Sequence, residues 1–206
     1  MNEKNKAAEN LEVIRSLMER ATVYRAISGP TALFAGVLAI GAGIWFRSNM
    51  SNFVLSWYGV LFCVVCFNTW MVIAKARREK RELFSPGLKM ALISISPALL
   101  VGGILALFGV NEYQPRYAYF LVWMWMVCYG LALTSTRSFS PASMWWLGIA
   151  FIVTGVYVSS QFSWGNYEDR MLRSIKVTPN LLMIYTFGFY HIVYGLWVMF
   201  IEKDRS

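Results

Sequence analysis

Residues Trp70–Glu82 read WMVIAKARREKRE, and the fold is decided where that stretch changes character. Upstream of it, residues 53–74 form 22 positions without an acidic or basic side chain. At a rise of 1.5 Å per residue, a helix of that length reaches roughly 33 Å, enough to cross the hydrocarbon core of a bilayer with slight tilt. Immediately downstream come Lys75, Arg77, Arg78, Lys80 and Arg81. A basic cluster at the end of an apolar run marks the cytoplasmic face and meets anionic lipid headgroups there. The orientation of every other segment follows from this border.

Composition supports lipid as the solvent. Of 206 residues, 57% are hydrophobic and only 15% charged, against about 25% charged in soluble domains. Nine Trp and eleven Tyr fit the amphipathic rings that gather at membrane interfaces. The net charge of +8 sits in short connecting segments, with no basic helix or nucleic-acid motif clear of the spans, so nucleic acid is not an expected partner. The first 28 residues are too polar for a secretory signal peptide.

Working outward, residues 8–27 form an amphipathic helix, with Leu11, Ile14, Leu17, Met18, Ala21 and Tyr24 on one face and Glu9, Glu12, Arg15, Glu19 and Arg20 on the other. Such a helix lies on the membrane surface, or docks a partner protein or a second copy of the chain. Gly29-Pro30 ends it. Six spans then follow at about 31–46, 53–74, 90–110, 117–135, 142–159 and 181–201, and 202–206 is a charged tail. The loop 161–180 carries a short helix pattern and closes at Pro179-Asn180. Pro86-Gly87 punctuates the basic loop. Pro97 removes one hydrogen bond inside the third span, and Ser94 and Ser96 are placed to satisfy the freed carbonyls. The expected class is therefore all-α: a polytopic membrane domain over 29–201, with 1–28 as a cytoplasmic helix. With the N-terminus inside, 14 of the 19 Lys and Arg fall on the inner side, so both termini are assigned to the cytoplasm.

Two sets of glycines suggest an internal repeat of three tandem hairpins. Gly36/Gly43, Gly102/Gly109 and Gly148/Gly155 each stand seven residues apart, and Tyr129-Gly130-Leu131 echoes Tyr194-Gly195-Leu196. Ala35, Ala39 and Gly43 form a further ladder that lets helix backbones approach in lipid. Composition alone also repeats Gly, Ala and Leu in membrane spans, so both readings stand.

Few residues suit chemistry. His191, the only histidine, falls near the middle of the last span, where an ionisable group is a candidate site. Counted by depth, Asn68, Ser96, Tyr129 and Tyr194 join it in a polar layer of the inner half. That layer either lines a cavity or supplies interhelical hydrogen bonds. No Asp, Glu, Lys or Arg lies within a span, which argues against a proton-coupled carrier. Cys63 and Cys66 form a C-x-x-C, and Cys128 lies in another apolar run; burial at that depth suits packing better than redox chemistry. A lone histidine cannot build a His-rich metal site, no catalytic motif is present, and no cofactor is expected.

The opening LEVIRSLMERATVYRAISGPTALFAGVLAIGAG resembles the start of an uncharacterised family of small polytopic bacterial inner-membrane proteins. Ile14, Met18, Glu19, Arg20, Ser28, Gly29, Gly36 and Ala39 carry the likeness. The resemblance implies several spans, a bacterial inner membrane and linkage to small winged-helix regulators, and it supplies no catalytic residues. The function expected is non-enzymatic, through protein or lipid contacts in an accessory, sensor or stress-response role. The alternative is a transporter or channel built on the polar layer.

Overall fold

The computed structural model describes residues 29–46, 52–78, 86–108, 115–138, 140–161 and 177–202. The amphipathic stretch 8–27, the loop helix near 167–175, and Lys80 and Arg81 lie outside the described residues. All described elements are helical: α1 (Gly29–Trp45), α2 (Phe53–Arg78), α3 (Pro86–Leu107), α4 (Pro115–Thr134), α5 (Ala142–Ser160) and α6 (residues 179–202). Five of them, α2 to α6, are long and apolar enough to cross a membrane, and α1 is a shorter apolar helix. The chain is thus a helical, multi-pass type of protein. Its outward faces agree, because Trp45, Phe62, Ile93, Phe108, Trp146 and Phe200 are each more than 60% exposed. Patches of that kind are tolerated where lipid covers them.

Proline sets the helix starts. Pro86, Pro115 and Pro179 are first residues, Pro30 is second, and Pro141 directly precedes α5. The first turn has no use for the missing N–H, and the ring fixes φ in the helical range. The helix expected to carry the third span accordingly begins at Pro86, ahead of residue 90, and α2 extends to Arg78, so Lys75, Arg77 and Arg78 lie in its last turn. Pro97 is carried inside α3. Its absent N–H frees the carbonyl of Ile93, and Ser96 Oγ donates to that carbonyl at 3.3 Å. Ser96 therefore repairs its own helix.

α6 is not a plain α-helix. Pro179–Met183 and His191–Trp197 are α-helical, whereas Ile184–Tyr190 and Val198–Glu202 are π-helical. The Thr186 hydroxyl donates to the Leu182 carbonyl at 2.8 Å within the wide turn. Insertions of this type often mark functional segments.

α4 is the central helix, with Leu121, Val122 and Met126 fully buried. Two antiparallel pairs pack backbone to backbone through glycine. In the α4–α5 pair, a Cβ on Gly130 would stand 2.6 Å from the Gly148 carbonyl oxygen, and one on Gly155 would meet Val127 at 2.8 Å and the Trp123 carbonyl at 3.1 Å. In the α6–α1 pair, Gly195 lies against Leu33 and the Gly29 carbonyl, and Gly36 against Ile192 and the Gly188 carbonyl. One constant sequence offset takes Gly130, Trp123 and Val127 to Gly195, Gly188 and Ile192. The same offset takes Trp123 back to Tyr58 on α2, which faces Gly103 of α3. There the glycine meets a phenol instead of a backbone, and Tyr58 Oη donates to the Gly103 carbonyl. The ladder read from the sequence also divides: Gly43 abuts α6 at Ile184, while Ala35 and Ala39 face elsewhere.

α2 is fastened at its start. Only Phe53, Val54 and Trp57 are buried in it. Trp57 Nε1 donates to Asn180 Oδ1 at 3.0 Å, and Asn180 Nδ2 donates to the Phe46 carbonyl at 2.8 Å. One side chain, 1% exposed, thus ties the end of α1 and the start of α2 to the start of α6. Beyond Trp57, α2 meets the bundle mainly through Tyr58 and through Phe67, stacked on Phe34 of α1 at 4.0 Å.

Candidate functional site

The only histidine is 6% exposed and sits where α6 leaves its π-helical turn. Tyr129 of α4 reaches it: Tyr129 Oη and His191 Nε2 are 2.8 Å apart. With the phenol as donor, Nε2 accepts and the ring proton rests on Nδ1. Nδ1 is buried without a well-formed hydrogen bond, and the ring interacts with the backbone of Phe187, one turn back. Aromatic rings close the surroundings. Phe151 is tilted at 60° and 5.6 Å from the imidazole, and Phe187 lies nearly parallel at 6.3 Å. A second polar contact, Thr154 Oγ1 to Tyr190 Oη at 2.9 Å, links α5 to α6. Thr154 spends its own proton on the Ala150 carbonyl, so Tyr190 is the donor.

The Tyr129–His191 pair borders a cavity of about 200 Å³ enclosed by α1, α2, α3, α4 and α6. The lining is almost wholly apolar. Trp57, Tyr58, Trp125 and Phe187 supply rings, Ala35 and Ala39 supply a small-residue wall, and Cys128 supplies one thiol. Leu61 of α2 and Leu99 of α3, 53% and 42% exposed, are the two exposed members of the lining. The α2 residues in the wall run from Trp57 to Val64 and those of α6 from Met183 to His191. The cavity therefore extends from the histidine toward the end where α2 and α6 begin, which is the side opposite the basic cluster.

The polar layer read from the sequence is only partly gathered. Tyr129 and His191 meet. Tyr194 is buried with Ala32 and Val198, close to Tyr129 but outside the cavity wall. Asn68 is exposed on α2 and does not approach the pair. The physical reason is that α2 buries only Phe53, Val54 and Trp57, and one position past the half-buried Phe67 the helix has turned Asn68 outward. Ser96 serves the Pro97 gap, as described above. Cys63 and Cys66 are exposed and free.

Asn180, Trp57 and Trp125 were not singled out in the sequence. Trp125 Nε1 donates to the Gly102 carbonyl at 3.1 Å. Its place mid-way along α4 was the available signal, since an interfacial Trp belongs near a helix end.

No family model, curated protein or solved structure matches this chain.

Proposed function

We propose that this chain is a six-span inner-membrane protein with both termini cytoplasmic, and that it works without catalysis by holding a membrane-dissolved molecule between its helices. The observation that carries the reading is the apolar cavity with two half-exposed leucines and one polar pair in its wall. Its dry lining and exposed leucines suit a ligand that arrives from lipid. A solute path needs polar groups along its length, and of Asn68, Ser96, Tyr129, Tyr194 and His191 only Tyr129 and His191 border this wall.

The sixth span is α1. Its 17 residues reach roughly 26 Å, at the short limit for a spanning helix, and its glycines lie along α6 for three turns and more. The common register of the α4–α5, α6–α1 and α2–α3 contacts supports three tandem hairpins arranged in a ring, with the third contact propped apart by Tyr58. A phosphatase fused to the C-terminus should be inactive in cells, and an active fusion would refute the orientation.

Cys128 tests the dryness of the cavity. In a Cys63→Ser, Cys66→Ser background, a charged methanethiosulfonate reagent should leave Cys128 unmodified in vesicles and modify it fully once detergent denatures the protein. Rapid modification in the folded protein would replace the lipid-facing site with an aqueous path.

A further inference from the structure

We propose that the cavity takes the planar ring of an uncharged quinone or quinol, with one ring oxygen on the Tyr129–His191 pair. The inference rests on the lipid-facing reading of the cavity and names the class of molecule in it.

Size points to a ring. A dry apolar cavity of roughly 150 Å³ accepts a benzene-sized molecule. The 200 Å³ here hold one substituted ring and exclude a whole diacyl lipid. The wall points the same way, because indole and phenyl rings offer flat faces for offset stacking: Trp57, Trp125 and Phe187 all border the space. The exposed Leu61 and Leu99 leave an exit for a hydrocarbon tail into the bilayer.

The polar pair supplies what an alkyl chain would not need. Tyr129 and His191 exchange a hydrogen bond that works in either direction, since neutral imidazole carries its proton on either nitrogen. Turned toward a ligand, the phenol donates to a quinone carbonyl or accepts from a quinol hydroxyl. His191 Nδ1 is buried without a well-formed partner, so no second hydrogen bond fixes the tautomer of the ring. The absence of any Asp, Glu, Lys or Arg from the wall selects an uncharged molecule. The proposal concerns binding alone, and no electron transfer is invoked.

The test uses 2-methyl-1,4-naphthoquinone as probe, titrated into the full-length protein in phosphatidylcholine vesicles, with tryptophan fluorescence as the readout. The expected result is saturable quenching, with the saturable part abolished in a Trp57→Phe, Trp125→Phe variant and by Gly103→Leu, which fills the wall. Tyr129→Phe, which keeps the ring, should weaken binding about five- to tenfold, the value of one hydrogen bond. A matching circular dichroism spectrum and thermal midpoint would show that this variant is folded. The oxygen-free analogue 2-methylnaphthalene should compete at least as weakly. If it competes as well as the quinone, or if Tyr129→Phe binds with unchanged affinity, the assignment of the ring oxygen is overturned while the apolar site stands. If neither molecule gives a saturable signal, both fall.

Discussion

Gly130→Ala and Gly36→Ala should each lower the thermal midpoint of the detergent-solubilised protein, while Gly41→Ala and Gly59→Ala should leave it unchanged or raise it slightly. All four substitutions add the same methyl group to an apolar helix, so propensity favours each by about 0.5–1 kcal/mol. What differs is the space. At Gly130 the new Cβ would lie 2.6 Å from the carbonyl oxygen of Gly148, and at Gly36 it would lie 2.8 Å from that of Gly188. The obstructing atoms are backbone, so no rotamer change relieves them, and the two helices must separate. Overpacking of this order costs about 1–3 kcal/mol. In lipid the loss is felt directly, because helix association there depends on close packing more than on hydrophobic burial. Nothing stands within 4 Å of a Cβ at Gly41 or Gly59. Equal behaviour of all four variants would mean that the glycines are compositional and that the α4–α5 and α6–α1 crossings are not the close ones described.

The second large effect belongs to Asn180. Truncation in Asn180→Ala removes one buried and one partly buried side-chain hydrogen bond, leaving the Trp57 indole N–H and the Phe46 carbonyl without these partners. Each stranded buried group costs about 1–3 kcal/mol. The sum should appear as a marked fall in the thermal midpoint and as greater proteolysis between α1 and α2. Asn180→Asp keeps the shape and the acceptor for Trp57 but turns a carboxylate oxygen toward the Phe46 carbonyl in a site 1% exposed, so its loss should be at least as large. A neutral Asn180→Ala would show that α2 is held by other contacts.

The contrast between these two sites explains how far the sequence could be read. The five long apolar helices were legible from the charged and polar residues that bracket them, whereas Pro86 and Pro179, read as loop residues, are first helical residues. His191 and Tyr129 were legible because polar atoms stand out in apolar helices, and the structure places them 2.8 Å apart. Lateral direction was not legible. In lipid an outward face is as apolar as a buried one, so nothing in residues 53–74 reveals that Asn68 points away from the bundle while Trp57 points in. The glycine repeat was visible, but not its register, since Gly29, Gly36 and Gly43 are evenly spaced and only the contacts choose Gly29 and Gly36 as counterparts of Gly148 and Gly155. Asn180 was misread for a local reason: Pro-Asn is a strong turn signal, whereas here the proline opens α6 and the amide beside it faces inward. The π-helical turn Ile184–Tyr190 has no pattern of its own in the sequence.

The central claim is that a membrane-dissolved molecule occupies the cavity beside Tyr129 and His191. Native mass spectrometry of the protein extracted from its own membranes in mild detergent tests it most directly. The expected result is one stoichiometric, lipid-soluble adduct on the wild-type chain that disappears in the folded Gly103→Leu variant. A bare chain, or an adduct that survives Gly103→Leu, would contradict it.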